Sequence, residues 1–502
     1  MKTLQTNDMV HAVAYSWRGA ILWTLLIVAT RLPLVGGVFP DNPGISTDAD
    51  AQGFGITALR LWHQHVYTPS RYPGYFLSEM INACFYPLGW WSANLFWSVV
   101  YGLSCWVYAR LLIVMNIPYA FWVLLAYSFF PLMVVENASI TEYTLSNTLL
   151  VVGWYAFARG LPAASGFWVG CAIAARVSQT IVAVPIFAAA FWARTKRWQS
   201  GVLFGVIALG FAVLLWLVPM RVFTGSWDFL SGGVWQGSLL WRILAIGYDL
   251  YRAFGLLAMG LCALYLITGV GNLIRYLKAD PFSIPFWMSI VIFAIIVLQP
   301  NKPGYALILV PFLYPLLSSF RSWIPFPWVV VGTLSFLLVA TPYVEYSRGG
   351  VTVRWIGPGK IVQELRQRQR EWRMAEVLLT NPPKRSMILI GSRLFVHYKL
   401  YFYQYNAKRI DAEVYMTHIH LKEADTWLIG FPRPYWKGVG GTDPEAGERF
   451  LRELLRKGYK VYYMPDMRYF YEDMPWLLER AQPFEIEIQI ERHGSLWHHS
   501  LG

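Results

Sequence analysis

The chain has 502 residues, of which 56% are hydrophobic and 14% charged, with a mean hydropathy of +0.40. Soluble domains carry about 25% charged residues, so a single globule facing water on all sides is excluded. The formal charge of +13 does not point to a nucleic-acid partner, because much of it lies in short loops between apolar runs, where basic residues set membrane topology.

The N-terminus is polar, and the first apolar run, about 19–38, is long for a signal-peptide core. It contains Arg31 and lacks a small-residue cleavage site, so it reads as an uncleaved first span. Further spans are predicted near 92–114, 117–136, 142–158, 200–220, 253–274, 283–299, 304–320 and 324–343. Residues 164–193 read either as one long tilted helix or as a hairpin broken around Arg176-Val-Ser-Gln179. With a cytoplasmic N-terminus and a hairpin there, Arg110, Arg159, Arg194, Lys196, Arg197, Arg275, Lys278 and Arg321 all fall in inside loops. A single span would put the next basic clusters outside, against the positive-inside rule. The hairpin is therefore preferred, and the expectation is about eleven spans. Tryptophans such as Trp62, Trp90, Trp91, Trp198, Trp227 and Trp323 mark span ends. The four cysteines, Cys84, Cys105, Cys171 and Cys262, lie in or beside apolar segments and form no CxxC motif.

This topology collects the first loop 39–91, the turn 136–142, the Arg176 break, the loop 221–250, the turn 300–303 and everything beyond 344 on the outer side. Within the first loop, 50–65 has helical apolar spacing and 74–88 is apolar but short; both are expected to lie at the membrane surface. After Arg348 the composition changes. A charged amphipathic helix is predicted over 360–380 and another helix over 444–457, with strands at 386–391, 412–417, 425–430 and 460–464. The fold class is thus a polytopic α-helical membrane protein, residues 1–345, with a small C-terminal α/β soluble domain, residues 346–502, on the extracytoplasmic side. No GxGxxG or P-loop opens that domain.

Chemistry-bearing residues cluster in the outer segments. Ser46-Thr-Asp48-Ala-Asp50 offers two carboxylates that can bind a divalent cation or act as base and partner; a solvated turn is the alternative. Arg71-Tyr72-Pro-Gly-Tyr75 places a guanidinium at the membrane surface, suited to phosphate, or else a turn with a snorkelling arginine. Glu136 and Glu142 bracket a short outer turn, where ionisable groups are costly unless partnered. Glu142 also fits the acid preference of a helix N-terminus. Arg176 and Lys302, the latter in Gln299-Pro-Asn-Lys302-Pro-Gly-Tyr305, can together face a lipid phosphate or merely snorkel. The histidine pairs His63/His65 and His418/His420 lack neighbouring ligands and read as structural or solvated.

These motifs, in this order, resemble the glycosyltransferase-C superfamily, particularly its bacterial protein-mannosyltransferase-like and aminoarabinose-transferase-like branch. The residues carrying the resemblance are Arg31-Leu-Pro, Asp48-Ala-Asp50, Leu-Trp…His-Val-Tyr67, Arg71 to Tyr75 with Glu79, Glu142-Tyr-Thr-Leu-Ser146 and Gly170…Ala-Ala-Arg176, within roughly 19–345. The resemblance implies an inverting transferase that uses a polyprenyl-phosphate sugar in a bacterial inner or plasma membrane. Asp50, with Asp48 as neighbour or rival, would be the catalytic base, and Glu79 would correspond to an acid that can hold a divalent cation. Arg71, Arg176 and Lys302 would contact phosphate, with Tyr72, Tyr75, Glu136, Glu142 and Tyr305 around the same substrate. The chain departs from the family in having Asp-Ala-Asp where Asp-Glu is frequent, and Lys302-Pro-Gly-Tyr305 where His or Arg is frequent. Two other classes stay open at this point: a transporter or flippase of lipid-linked sugars, and an inactive membrane scaffold whose outer domain binds a partner.

Overall fold

The computed structural model describes residues 2–36, 46, 49–70, 73–225, 227, 239–269, 283–298, 304–320, 322–347, 350–390, 396, 399–400, 410–414, 418–430, 444–464 and 474–484. Helix α1 (Lys2–Tyr15) occupies the polar N-terminus. It was not expected as an element, but Val10, Val13 and Ala14 share one face and are buried against the bundle. Helix α2 (Trp17–Val35) starts at Ser16, whose side chain accepts from the amide of Gly19 at 3.3 Å. Two helices follow in the first loop, α3 (Ala49–Gln64) and α4 (Phe76–Phe85), close to the expected bounds.

The next predicted apolar segments fold as the helices α5 (Trp90–Val114), then α6 (Ala120–Phe129) with α7 (Pro131–Glu136), then α8 (Tyr143–Ala158). The run 117–136 breaks at Phe130-Pro131, because a proline has no amide hydrogen to carry the helix onward. The break strands carbonyls in the last turn of α6. Arg31, fully buried, donates from Nη2 to the carbonyl of Ser128 at 2.9 Å, and the hydroxyl of Tyr101 takes that of Tyr127. A charged residue inside the first span thus supports its neighbour's broken helix.

Residues 162–195 form α9 (Pro162–Ala175), the single turn α10 (Val177–Thr180) and α11 (Ala183–Thr195). Helix α12 (Trp198–Ala212) continues through a π turn at Val213–Leu217 into α13 (Val218–Thr224). Close approaches of Gly166 to Phe204 and of Gly170 to Ala208 make α9 parallel to α12, whereas Gly201 lies against Ala188 and the chain turns back from α11 into α12. The chain therefore reverses at Arg176, which is the hairpin arrangement.

Helices α14 (Leu239–Phe254) and α15 (Leu256–Gly269) meet at Gly255, with a bend of 102°. The first of these lies in the region read as the loop 221–250. Helices α16 (Ser283–Leu298), α17 (Tyr305–Ser318) and α18 (Phe326–Ser335) complete the bundle. Among the described residues, four helical stretches are long and apolar enough to cross a membrane: Trp17–Val35, Trp90–Val114, Val177–Thr195 and Trp198–Thr224. Shorter apolar helices include α6, α9, α16, α17 and α18. The expected span 324–343 is corrected at its end: its helix stops at Ser335. Strand β1 (Val339–Ala340) instead pairs with β4 (Gly357–Pro358), and the amide of Lys360 reaches the carbonyl of Phe336 at 2.9 Å. Pairing beyond the bundle satisfies backbone groups that a continued helix would have satisfied internally.

A hairpin of β2 (Tyr343–Ser347) and β3 (Gly350–Arg354) lies between those two strands in sequence. Helix α19 (Lys360–Thr380) follows, with the predicted bounds. The C-terminal sheet has six strands in the order β10-β9-β5-β8-β7-β6. They are β5 (Ser386–Leu389), β6 (Ala412–Val414), β7 (His418–Leu421), β8 (Thr426–Ile429), β9 (Lys460–Tyr463) and β10 (Ala481–Pro483). Strands β8, β5, β9 and β10 are parallel neighbours, and β7 and β6 add antiparallel pairs. Helices α20 (Pro444–Arg456) and α21 (Pro475–Leu478) flank β9 in sequence. One apolar core joins this domain to the first loop, with Ala51, Phe54 and Ala58 of α3 clustered with Ala375, Leu378 and Leu379 of α19.

Candidate functional site

The reversal at Arg176 puts a charge at a helix break inside the protein. Arg176 has extended backbone angles (φ −156°, ψ 95°) and a fully buried side chain. A buried cation persists only when paired and hydrogen-bonded. Arg176 forms an ion pair with Glu142 through Nη1 and donates from Nε to Oε1 of Gln179. Three tyrosine rings face the guanidinium, with centroids at 4.0 Å for Tyr143, 5.3 Å for Tyr305 and 5.7 Å for Tyr75. Each such contact is favourable through the ring quadrupole, more so away from water.

Four chain segments converge here. Tyr75 precedes α4, Glu142 and Tyr143 open α8, Arg176 closes α9, and Tyr305 opens α17. Hydrogen bonds lock these segments together: Ser78 Oγ donates to the carbonyl of Ala175 at 3.3 Å, and Asn147 Nδ2 to that of Leu307 at 3.0 Å. Gly304 is required by close approach, since a Cβ there would run into the Tyr143 ring. The structure therefore brings together four of the predicted site residues, Tyr75, Glu142, Arg176 and Tyr305.

The acidic first-loop motif approaches from α3. Asp50 sits in the first turn of this helix, partly buried, one turn before Phe54. The Phe54 ring meets that of Tyr75 with centroids 6.2 Å apart. A helix N-terminus favours the ionised carboxylate. The flanks of the motif are held by α19: Ser46 Oγ donates to Glu364 at 3.2 Å, and Gln52 Nε2 to Glu371 at 3.3 Å. Glu136 is buried at the end of α7. Asp48, Arg71, Tyr72 and Lys302 lie outside the described residues.

Glu79, fully buried on α4, accepts from the Tyr67 hydroxyl on one oxygen and from the amide of Ser70 at 2.8 Å on the other. Burial, reinforced by the Glu79 carboxylate, holds the Tyr67 hydroxyl well above its ordinary range, so it stays a donor. Trp216, in the π turn, donates to the carbonyl of Gly74 at 3.1 Å. The loop that carries Arg71 is thus held at both ends. Among the described residues, no group of three His, Cys, Asp or Glu side chains is placed to hold a metal ion.

His420 stacks on Trp427 at 4.0 Å and His418 on Phe450 at 5.0 Å, so both are packed within the C-terminal domain. Sequence reasoning had not placed Tyr143, Gln179, Phe54, Tyr67 or Trp216 in a site. For Tyr143 and Gln179 the signal was adjacency, since they flank the ionisable groups they serve. For Tyr67 the signal was its place in the Leu-Trp…His-Val-Tyr67 run, and for Phe54 and Trp216 nothing in the sequence distinguishes them from ordinary apolar packing.

No protein-family model and no curated protein matches the chain. Among solved structures, it is similar to ArnT from Cupriavidus metallidurans bound to undecaprenyl phosphate, with 14% identity and a TM-score of 0.47, over 75% of this chain and 84% of that one. It is also similar to the apo state of the same protein, with 15% identity and a TM-score of 0.46, over 76% and 84% of the two chains.

Proposed function

We propose that the chain is a membrane glycosyltransferase that moves a sugar from a polyprenyl-phosphate carrier to an acceptor hydroxyl. The observation that carries this reading is the Arg176 cluster, a buried guanidinium ringed by tyrosines and joined through Tyr75 and Phe54 to the helix bearing Asp50. A phosphate leaving group calls for cationic stabilisation rather than a general acid. In this reading Glu142 is the counter-ion of Arg176 in the absence of substrate, and the carrier phosphate takes its place, since both offer bidentate acceptor oxygens. Arg71 and Lys302 are the further phosphate contacts, and Tyr72, Tyr75, Tyr305 and Glu136 border the same substrate.

The acceptor oxygen attacks the anomeric carbon and the bond from that carbon to the phosphate oxygen breaks, with inversion. The acceptor proton passes to the Asp50 carboxylate, with Asp48 as the second candidate, and polyprenyl phosphate leaves with the bonding electrons. Arg18, Arg110, Arg159, Arg194, Lys196 and Arg197 gather at the other end of the bundle, as the pairing of Arg110 with Ala14 and of Arg194 with Phe157 requires. The positive-inside rule supports reading that end as cytoplasmic and the site and C-terminal domain as extracytoplasmic, in the bacterial inner or plasma membrane that the family resemblance implies.

The test is release of polyprenyl phosphate from labelled polyprenyl-phosphate sugars by membranes holding the wild type, Asp50→Asn or Asp48→Asn. Removal of the base is expected to slow release about 10²–10⁴-fold in one of the two variants. Wild-type release from both variants, or no release by the wild type from any donor of this class, would sink the reading.

A further inference from the structure

The bundle also carries a groove at the end opposite the Arg176 cluster, between α1, α2 and α5. Its volume is about 670 Å³, within the range of ligand clefts. The walls are apolar side chains turned outward, among them Ile21, Leu25, Val99 and Leu103, which are 50%, 58%, 39% and 52% exposed. One end of the groove is different. There Arg110 Nε donates to the carbonyl of Ala14 at 2.9 Å, and the guanidinium lies over the Trp106 ring at 4.4 Å and the Tyr15 ring at 5.6 Å. Trp106 Nε1 donates to the same Ala14 carbonyl at 3.1 Å, which fixes the ring beneath the cation. The Nη groups of Arg110 have no hydrogen-bond partner among the described residues, so a fixed guanidinium presents its fork outward at the mouth of an apolar channel. Arg18, over the Trp17 ring at 5.3 Å, adds a second cation beside the same rim.

We infer that this groove binds an anionic phospholipid, with an acyl chain along α2 and α5 and the headgroup phosphate on Arg110. The complementarity is specific in both parts. Alkyl chains fill an apolar channel, and a phosphate diester accepts two parallel hydrogen bonds from a guanidinium held in place by stacking. A zwitterionic lipid offers the same phosphate but brings its own cation, which Arg18 and the basic residues at this end of the bundle repel. The site is remote from the Arg176 cluster, so it stands or falls apart from the transferase reading.

The experiment is native mass spectrometry of the full chain in detergent, titrated with phosphatidylglycerol or phosphatidylcholine. The wild type is expected to retain phosphatidylglycerol preferentially, and Arg110→Gln to bind it at least about tenfold more weakly, the scale of one charged hydrogen bond. Leu103→Trp, which fills the channel without touching the cation, is expected to remove one bound phosphatidylglycerol per chain. Thermal melting of each variant separates loss of the lipid from loss of the fold. Equal retention of the two lipids by the wild type overturns the inference, as does undiminished phosphatidylglycerol binding by either folded variant.

Discussion

The guanidinium of Arg368 donates to the carbonyl oxygen of Leu34 at 2.7 Å, joining a helix of the C-terminal domain to the end of the first apolar helix. The same side chain donates to Ser139 Oγ at 2.8 Å and to Glu364 at 2.9 Å, and it is almost wholly buried. One residue thus closes a junction among α2, the turn after α7, and α19. Arg368→Ala removes the cation paired with the buried Glu364, a change expected to cost about 3–5 kcal/mol. The expected result is a lower melting temperature and faster proteolysis of the region beyond 345, with Arg368→Lys intermediate.

The Arg176–Glu142 pair calls for a double-mutant cycle. Arg176→Met removes the cation paired with a buried carboxylate, and Glu142→Leu removes the acid paired with a buried guanidinium, each expected to lower stability by about 3–5 kcal/mol. The double variant is expected to recover most of that loss while remaining inactive in carrier release. Additive destabilisation in the double variant would mean that the two charges do not depend on each other.

Gly304→Ala probes the ring cage without changing a charge. The added Cβ displaces the Tyr143 ring from its place over Arg176. Carrier release is expected to fall, with a stability loss of about 1–3 kcal/mol, the usual scale of overpacking. Gly304→Ala paired with Tyr143→Leu, which vacates the space, is expected to regain stability but not release.

The C-terminal domain should be acid-sensitive through His418. Burial, and then the charge of His420, lowers its pKa from the ordinary 6.5 to about 4. Above pH 6.5 the folded and unfolded states are both neutral at this site. Between 6.5 and 4 the unfolded state takes up a proton that the folded state refuses, so stability falls as the pH falls. The total loss is about 2–3 kcal/mol at most, because the ring is partly exposed. His418→Phe, which keeps the packing against Phe450, is expected to flatten that part of the stability profile as followed by denaturation midpoints.

Much of the architecture was legible because it rests on local patterns. Helix α19 carries its amphipathic period in its own residues, and the reversal at Arg176 is announced by a charge in an apolar run. The Arg176 cage was legible in its ion-pair partners and in two of its rings, but not in its assembly, which depends on four segments meeting in space. Arg368 and Glu364 escaped notice because an i, i+4 charge pair on a charged helix reads like any solvated face. Strand β7 was hidden because His418 and His420 were weighed for chemistry rather than for alternation. The end of α18 was misplaced because hydropathy cannot tell a helix from an apolar strand that pairs with residues nearly twenty positions later.

The core shared by α3 and α19 also bears on the order of assembly. Ala51, Phe54 and Ala58 are synthesised some three hundred residues before Ala375, Leu378 and Leu379, with which they share one buried cluster. Contacts so distant in sequence form late, and until they do the apolar face of α3 has only nearby residues such as Tyr75 and Ala83 beside it. The membrane surface is the available shelter in that interval, as it is for any amphipathic helix. The Asp50 segment therefore gains its Ser46 and Gln52 contacts only once α19 is made, and a nascent chain released before α19 emerges carries its acidic motif on an unfinished support.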